Sequence, residues 1–313
     1  MSARKNIIPI FVPHWGCPHN CVFCNQNRIT GEKKPATAED VKKAIAGATA
    51  EDAQVAFYGG SFTAIPTEQQ EELLQAASGH SIRLSTRPDC IDESVLNRLK
   101  KYGVDTIELG AQSLDNEVLR LAGRGHTAED VENASKQIKD AGFKLILQMM
   151  TGLPKDTEEK DIETAKKIIA LKPDGVRIYP TVIVKGTVLF ELWKLGRYKE
   201  HTVEDAVQVC SKLLPLFDEA KIPVIRLGLN PTDDLSGGDA AAGAYHSALG
   251  ELVKSRIKRN EIEEKVRAGI KEFQIPAALI SQYTGQHRCN IEYFKEKYGV
   301  DVKFVPHDPL SLK

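Results

Sequence analysis

Residues 82–110 read Ile82-Arg-Leu-Ser-Thr-Arg-Pro-Asp-Cys-Ile-Asp-Glu-Ser-Val-Leu-Asn-Arg-Leu-Lys-Lys-Tyr-Gly-Val-Asp-Thr-Ile-Glu-Leu-Gly110. A short run, Ile82–Thr86, gives way after Pro88 to a helical stretch opening at Asp92-Glu-Ser, and then to a second run, Thr106–Gly110. A capping residue followed by an acid marks a helix start, so the segment reads strand, helix, strand. The same unit recurs in both directions. Strands are predicted near Ile7–Val12, Gln54–Tyr58, Leu145–Met149, Gly175–Tyr179 and Pro223–Leu227, with helices from near Thr37, Thr67, Thr127, Thr157 and Thr202. Thr67-Glu-Gln-Gln, Thr127-Ala-Glu and Thr157-Glu-Glu repeat the cap signal of Asp92. Strands that are continuously apolar and alternate with helices predict a parallel sheet covered by helices, an α/β fold of full or partial (β/α) TIM-type barrel form. In such folds the chemistry sits at the carboxyl ends of the strands.

The chain has room for that barrel and a small appendix. It has 313 residues, 42% of them hydrophobic, which excludes a disordered chain or a small scaffold that needs staples. Lys+Arg 42 against Asp+Glu 43 leaves a net charge of -1, so no global field draws the chain to nucleic acid or membrane. No apolar run approaches the roughly 18 residues of a membrane span, and MSARKNIIPIFVPHWG lacks a signal-peptide core; both predict a cytoplasmic protein with no membrane partner. The texture breaks at residues 230–243, where Pro231, Asp233, Asp234, Gly237, Gly238 and Gly243 predict a flexible lid or connector after the last barrel strand. A helix is expected from about Ala244 to Asn260. Residues 251–313 carry 12 Lys+Arg and 9 Asp+Glu, a local +3 against -4 for the remainder. The predicted division is a barrel domain over residues 1–260 and a small domain over 261–313.

Three of the six cysteines crowd into Gly16-Cys17-Pro18-His19-Asn20-Cys21-Val22-Phe23-Cys24, directly after the first strand, while Cys90, Cys210 and Cys289 stand alone. Cys90 and Cys289 read as small buried hydrophobes. A single C-x3-C-x2-C triplet suits a four-iron four-sulfur (4Fe-4S) cluster, in which three protein thiolates leave one iron open. The alternative is a zinc site completed by His14 or His19, which would normally bring a second paired element.

This triplet, with an aromatic residue before its third cysteine, resembles the signature of the radical S-adenosylmethionine (SAM) superfamily. The resemblance implies a 4Fe-4S cluster held by Cys17, Cys21 and Cys24, SAM chelated to its open iron, and reductive cleavage to methionine and a 5′-deoxyadenosyl radical. Further motifs lie at strand ends: Tyr58-Gly59-Gly60-Ser61-Phe62-Thr63, Ser85-Thr86-Arg87-Pro88-Asp89, Leu109-Gly110-Ala111-Gln112-Ser113 and Arg124-Gly125-His126-Thr127. By similarity to relatives such as the oxygen-independent coproporphyrinogen oxidase, Gly59, Gly60, Ser61, Ser85, Arg87, Gln112 and Arg124 would surround SAM. Gln148 stands where that oxidase has a ribose-binding aspartate. An electron donor such as flavodoxin or ferredoxin is implied.

Ser85-Thr-Arg-Pro-Asp and residues 178–198, with Ile178-Tyr-Pro-Thr-Val-Ile-Val-Lys-Gly-Thr187 and Glu191-Leu-Trp-Lys, are similar to the radical SAM core of the Elongator catalytic subunit and its bacterial relatives, which implies tRNA as substrate. Elongator-type enzymes have a longer gap between their first two cluster cysteines, a basic extension before the barrel, an acetyltransferase domain, and a glutamate where Ser85 stands. The acetyl-CoA chemistry is therefore not carried over. Residues 269–306 predict strand, helix, loop, helix, strand, with Gly285-Gln286-His287-Arg288 at the loop; this α+β order resembles a minimal KH domain whose second loop glycine is replaced by Arg288. Three functions remain open: a radical SAM enzyme acting on RNA, one acting on a small molecule or peptide with a structural tail, and a non-catalytic RNA-binding protein stabilised by its metal.

Overall fold

The computed structural model describes residues 6–12, 17–30, 34–50, 52–230 and 235–307. The strands are β1 (Ile7–Val12), β2 (Gln54–Gly59), β3 (Ile82–Thr86), β4 (Val104–Gln112), β5 (Lys144–Thr151), β6 (Gly175–Pro180), β7 (Val182–Val184), β8 (Val224–Leu227), β9 (Ala240–Gly243), β10 (Glu272–Pro276) and β11 (Lys303–His307). Seven of them form one parallel sheet in the order β1-β2-β3-β4-β5-β6-β8, each paired with its neighbour along the chain. β1 and β8 do not pair with each other, so the sheet curls into a half-barrel rather than closing. The expected partial (β/α) barrel is the observed one.

Its two faces differ because side chains alternate along a strand. Val55, Phe57, Leu84, Ile107, Leu109, Leu145, Leu147, Val176 and Ile178 are wholly buried on the face that meets the helices, beside Leu74, Leu99, Val131, Ile138, Ile168 and Leu213. The concave face carries Tyr58, Arg83, Ser85, Glu108, Gly110, Gln148, Arg177 and Tyr179. A core of this kind leaves the lumen polar.

Caps explain most helix starts. Thr37, Thr127 and Thr202 form capping boxes with Asp40, Asp130 and Asp205, and Asp92 and Thr157 accept from Val95 and Lys160. Thr67 does not cap as its sequence predicts: Pro66 holds the cap position with no side-chain bond and Thr67 is the first helical residue. Pro66 fixes the entry angle of the chain and leaves the threonine inside the first turn. Helices Gln26–Thr30, Asn116–Leu121 and Val188–Lys194 are additional.

The stretch expected as a lid is partly ordered secondary structure. β9 pairs antiparallel with β7, and Leu235 packs with Val182 and Val184; residues 231–234, with Pro231, Asp233 and Asp234, lie outside the described residues. The following helix is Leu249–Arg267, later and longer than expected. Leu249 and Val253 belong to the barrel core, whereas Ile262 and Val266 pack with Phe273, Ile275, Phe294 and Val302 in a second core. The tail is strand, helix (Ile280–Thr284), helix (Cys289–Tyr298), strand, and β10 and β11 are parallel neighbours. One helix therefore serves both units.

Candidate active site

The cysteine segment crosses the end of the half-barrel at which the strands finish. Val22 N–H donates to Ala122 O at 3.0 Å, Leu189 N–H donates to Val22 O at 2.7 Å, and Cys24 N–H closes a turn on Cys21 O at 3.1 Å. Val22 and Phe23 pack on Ile183, Leu189 and Trp193, while Ile29 packs on Val182 and Val184 and Arg28 pairs with Asp239. The residues of 178–198 thus brace the segment from below. Gly123, at φ 68°, lies so close that a Cβ there would sit 3.1 Å from Asn20 O.

Cys17, Cys21 and Cys24 are each half-buried. The Cys17 thiol is pushed up by burial and pulled back by the Ser61 amide and by Arg87 and Arg124, so the site supplies positive charge and an N–H to a thiolate. Arg124 Nη1 stands 3.2 Å from Cys21 Sγ. Among the described residues no three His, Cys, Asp or Glu side chains converge on a point that could hold one metal ion. His19 turns toward Asp89 at 4.0 Å, its ring lying against Gly125. A structural zinc ion needs four ligands about a single centre, whereas a cube carries each thiolate on a different iron. His14, the other histidine that could complete a zinc site, lies outside the described residues.

The other predicted residues line the adjoining strand ends. Gly59 takes φ 109° at the end of β2, and Gly60 N–H donates to Val12 O at 2.9 Å, which turns the glycine backbone toward the mouth. Ser61 Oγ lies 2.9 Å from Thr86 Oγ1. Ser85 faces the lumen opposite Glu108 in register. Arg87 is held by Asp89 through two 2.9 Å bonds and also donates to Arg124 O. Its side chain is buried, and the carboxylate keeps it charged there.

At the bulge of β4 after Gly110, Gln112 adopts φ 66°, a left-handed conformation that a glutamine holds only when its surroundings enforce it. Gln148 Nε2 donates to Gln112 Oε1 at 3.2 Å, and Arg124 Nη2 donates to Gly110 O at 2.6 Å. A Cβ on Gly110 would meet the Gln112 amide at 2.8 Å. The close approach of these groups thus depends on the missing side chain.

Two buried atoms have no partner here, Arg124 Nε and His126 Nδ1. His126 Nε2 lies 3.2 Å from Ala111 O, which assigns the ring proton to Nε2 and leaves Nδ1 a bare acceptor. Burial and the Arg124 charge lower its pKa to about 4, so the ring is neutral near pH 7. Asp89 and His126 were missed as site residues although both stand inside quoted motifs. Their sequence signals were the Arg87-x-Asp89 spacing and the Arg124-x-His126 pair. Cys90 is half-buried against Ser61 and Arg87 rather than in the core, and Cys289 is exposed at the start of its helix, so neither is the buried hydrophobe its sequence suggests.

The model of the radical SAM superfamily matches residues 12–168, and that of the radical SAM C-terminal domain matches residues 173–259. The chain belongs to the radical SAM superfamily. It is 32% identical over 227 residues to human Elongator complex protein 3, covering 64% of this chain and 41% of that protein. To the tRNA uridine(34) acetyltransferase of Methanocaldococcus infernus it is 37% identical over 197 residues, covering 61% and 36%. The chain spans about two-fifths of the length of these relatives. The solved Elp3 of Methanocaldococcus infernus with its N-terminus deleted superposes at a TM-score of 0.64 with 23% identity, covering 99% of this chain and 70% of that one. Coproporphyrinogen III oxidase of Escherichia coli superposes at 0.53 with 17% identity, covering 69% and 52%. Both solved structures speak to the fold. The protein is a radical SAM enzyme, and a 4Fe-4S cluster and SAM are its cofactors. Among the described residues no helix is long and apolar enough to cross a membrane.

Proposed function

We propose that this enzyme modifies RNA, with tRNA as the foremost substrate, and that its tail holds the RNA. The observation that carries the reading is the 37% identity of the barrel to an archaeal tRNA uridine(34) acetyltransferase. In this reading Cys17, Cys21 and Cys24 hold the cluster, which supplies the 5′-deoxyadenosyl radical when SAM is bound and reduced. The cysteine donors, the guanidinium beside Cys21 and the unpartnered Arg124 Nε and His126 Nδ1 fit such a group.

The chain's own side chains bind and orient. Arg124 carries a fixed positive charge between the cluster segment and Gly110. Gly59, Gly60 and Ser61 offer backbone to the amino-acid portion of SAM, while Ser85, Arg87, Gln112 and Gln148 line its remaining sides. The Asp89 clamp holds the Arg87 guanidinium in place and keeps it charged. A flavodoxin or ferredoxin supplies the electron.

The division into units 1–260 and 261–313 belongs to the same proposal, with Leu249–Arg267 as the shared strut. In the tail, His287 and Arg288 take φ 51° and 65° on an exposed turn, conformations that glycine ordinarily fills, and present a ring and a guanidinium outward. Arg256, seven residues along the strut, pairs with Glu204 at the start of helix Val203–Glu219. Helices that follow barrel strands start at the catalytic end. Arg256 therefore ties the strut to that end of the barrel.

The test is retention of tRNA by the full-length protein and by Arg288→Glu, measured against salt. The expected result is binding that falls steeply with salt and a slope reduced by about 1 in the variant. Absence of tRNA retention by the wild-type protein would transfer the enzyme to the small-molecule or peptide reading.

A further inference from the structure

One polar cluster in the half-barrel is left unused by the cluster and SAM. Arg83 on β3, Glu108 on β4 and Arg177 on β6 share the concave face, Glu108 level in register with Ser85, and Arg177 level with Gln148 and Gly110. Their bonds to one another gather them into one charged layer across the lumen. Both Glu108 oxygens are taken by guanidiniums: Arg83 Nη1 donates to Oε1 at 2.8 Å, Arg177 Nε to Oε2 at 2.8 Å and Arg177 Nη2 to Oε1 at 3.1 Å. Arg177 Nη2 also donates to the Tyr58 hydroxyl at 3.1 Å, and the guanidinium stands 5.5 Å from that ring's centre.

Arg226 on β8 pairs in register with Arg177 and acts on Tyr179, yet among the described residues its own bonds go only to the carbonyls of Gly228 and Leu229. Among the described residues the layer therefore holds three guanidiniums and one carboxylate. Asp105 reaches Arg83 only through the Gln54 amide. The phenols do not compensate: burial and Glu108 push Tyr58 up to about 12, and burial raises Tyr179 as well, so both stay neutral. Arg83 and Arg177 keep 17% and 15% of their side chains open, so the layer faces accessible space rather than a sealed core.

An excess of partly buried positive charge is costly unless an anion joins it. We propose that this charged layer, centred on Arg177 and Arg226, is the seat of an anionic group of the substrate, an oxyanion that accepts from guanidinium and phenol donors. Glu108 orients the two arginines that flank it, and its charge keeps the empty layer from repelling itself. In the RNA reading, on which this version rests, the oxyanion is the phosphate of the nucleotide that enters the lumen. In the small-molecule reading it is a carboxylate. The shared chemistry is the oxyanion, and the two sources separate experimentally.

The experiment titrates the full-length, anaerobically reconstituted protein with uridine 5′-monophosphate, uridine and succinate by calorimetry, in the wild type, Arg226→Gln and Glu108→Gln. The expected result is binding of uridine monophosphate but not uridine, weakened about tenfold or more in Arg226→Gln. Glu108→Gln, which adds net positive charge, should bind the anion more tightly. That gain cannot arise from misfolding. Binding of succinate without uridine monophosphate would uphold the oxyanion seat and overturn the nucleotide source, independently of the tail. Equal binding of uridine and its monophosphate, no anion binding at all, or an unaltered affinity in Arg226→Gln would overturn the inference.

Discussion

At the scale of single residues, the site depends on a few charges held where the solvent cannot screen them. Removing a hydrogen bond to a charged group of a bound ligand costs roughly 1.5–3 kcal/mol, about ten- to a hundredfold in affinity. Gln112→Ala and Arg124→Ala should therefore weaken SAM binding by that factor while iron content and the brown absorbance persist; unchanged affinity in both would remove the strand-end assignment. Cys17→Ala, Cys21→Ala or Cys24→Ala should abolish the cluster after anaerobic reconstitution, read as iron per chain. A different pair of residues sets a pH dependence. Asp156 and Asp161 share a buried pocket after β5, where burial lifts Asp156 to about 6 and burial with the Asp156 charge lifts Asp161 well above the carboxylate range. Groups raised above their unfolded values contribute stability that is complete below about pH 4 and is lost as pH rises through the folded pKa. Asp156→Asn should remove part of that loss, so its Tm should fall less between pH 5 and pH 8 than that of the wild type.

At the scale of elements, helix caps and one close approach carry testable weight. Thr202 caps helix Val203–Glu219, whose first turn also receives Arg256 from the strut. Thr202→Ala should cost about 1 kcal/mol by loss of the N-cap, measurable as a lower midpoint in urea with an unchanged slope. Gly123 is needed both for its left-handed φ and for its distance from the Asn20 carbonyl. Gly123→Ala should push the cysteine segment outward and lower iron occupancy more than it lowers overall stability. Equal occupancy would show that the segment tolerates the displacement.

At the scale of the molecule, the strut Leu249–Arg267 joins two cores that share no buried side chain. Phe294 is wholly buried in the smaller one. Phe294→Ala should cost about 3–5 kcal/mol there, enough to unfold a unit of that size. A folded barrel with an unfolded tail, with SAM cleavage spared and tRNA retention lost, is the expected outcome. A single transition with loss of both activities would show that barrel and tail fold as one.

Much of this was legible in the chain itself. The alternation of apolar runs with capped helices dictates a parallel α/β sheet, because only strands buried against helices can be so continuously apolar. The cysteine triplet with its aromatic residue resembles the family's signature, although its spacing alone leaves a zinc site as the alternative. Local signals stop there. That β1 and β8 stay apart, that Gln112 is forced into a left-handed turn, and that His19 leaves the cysteines for Asp89 depend on contacts between residues distant along the chain. The brace on the cysteine segment was invisible for the same reason: Arg28 and Asp239 are 211 residues apart. The charged lumen was hidden by its dilution in the sequence. Arg83, Glu108, Arg177 and Arg226 stand on four separate strands, far apart in the sequence, and only sheet register and curvature, fixed by the packing of the outer face, gather them around one space.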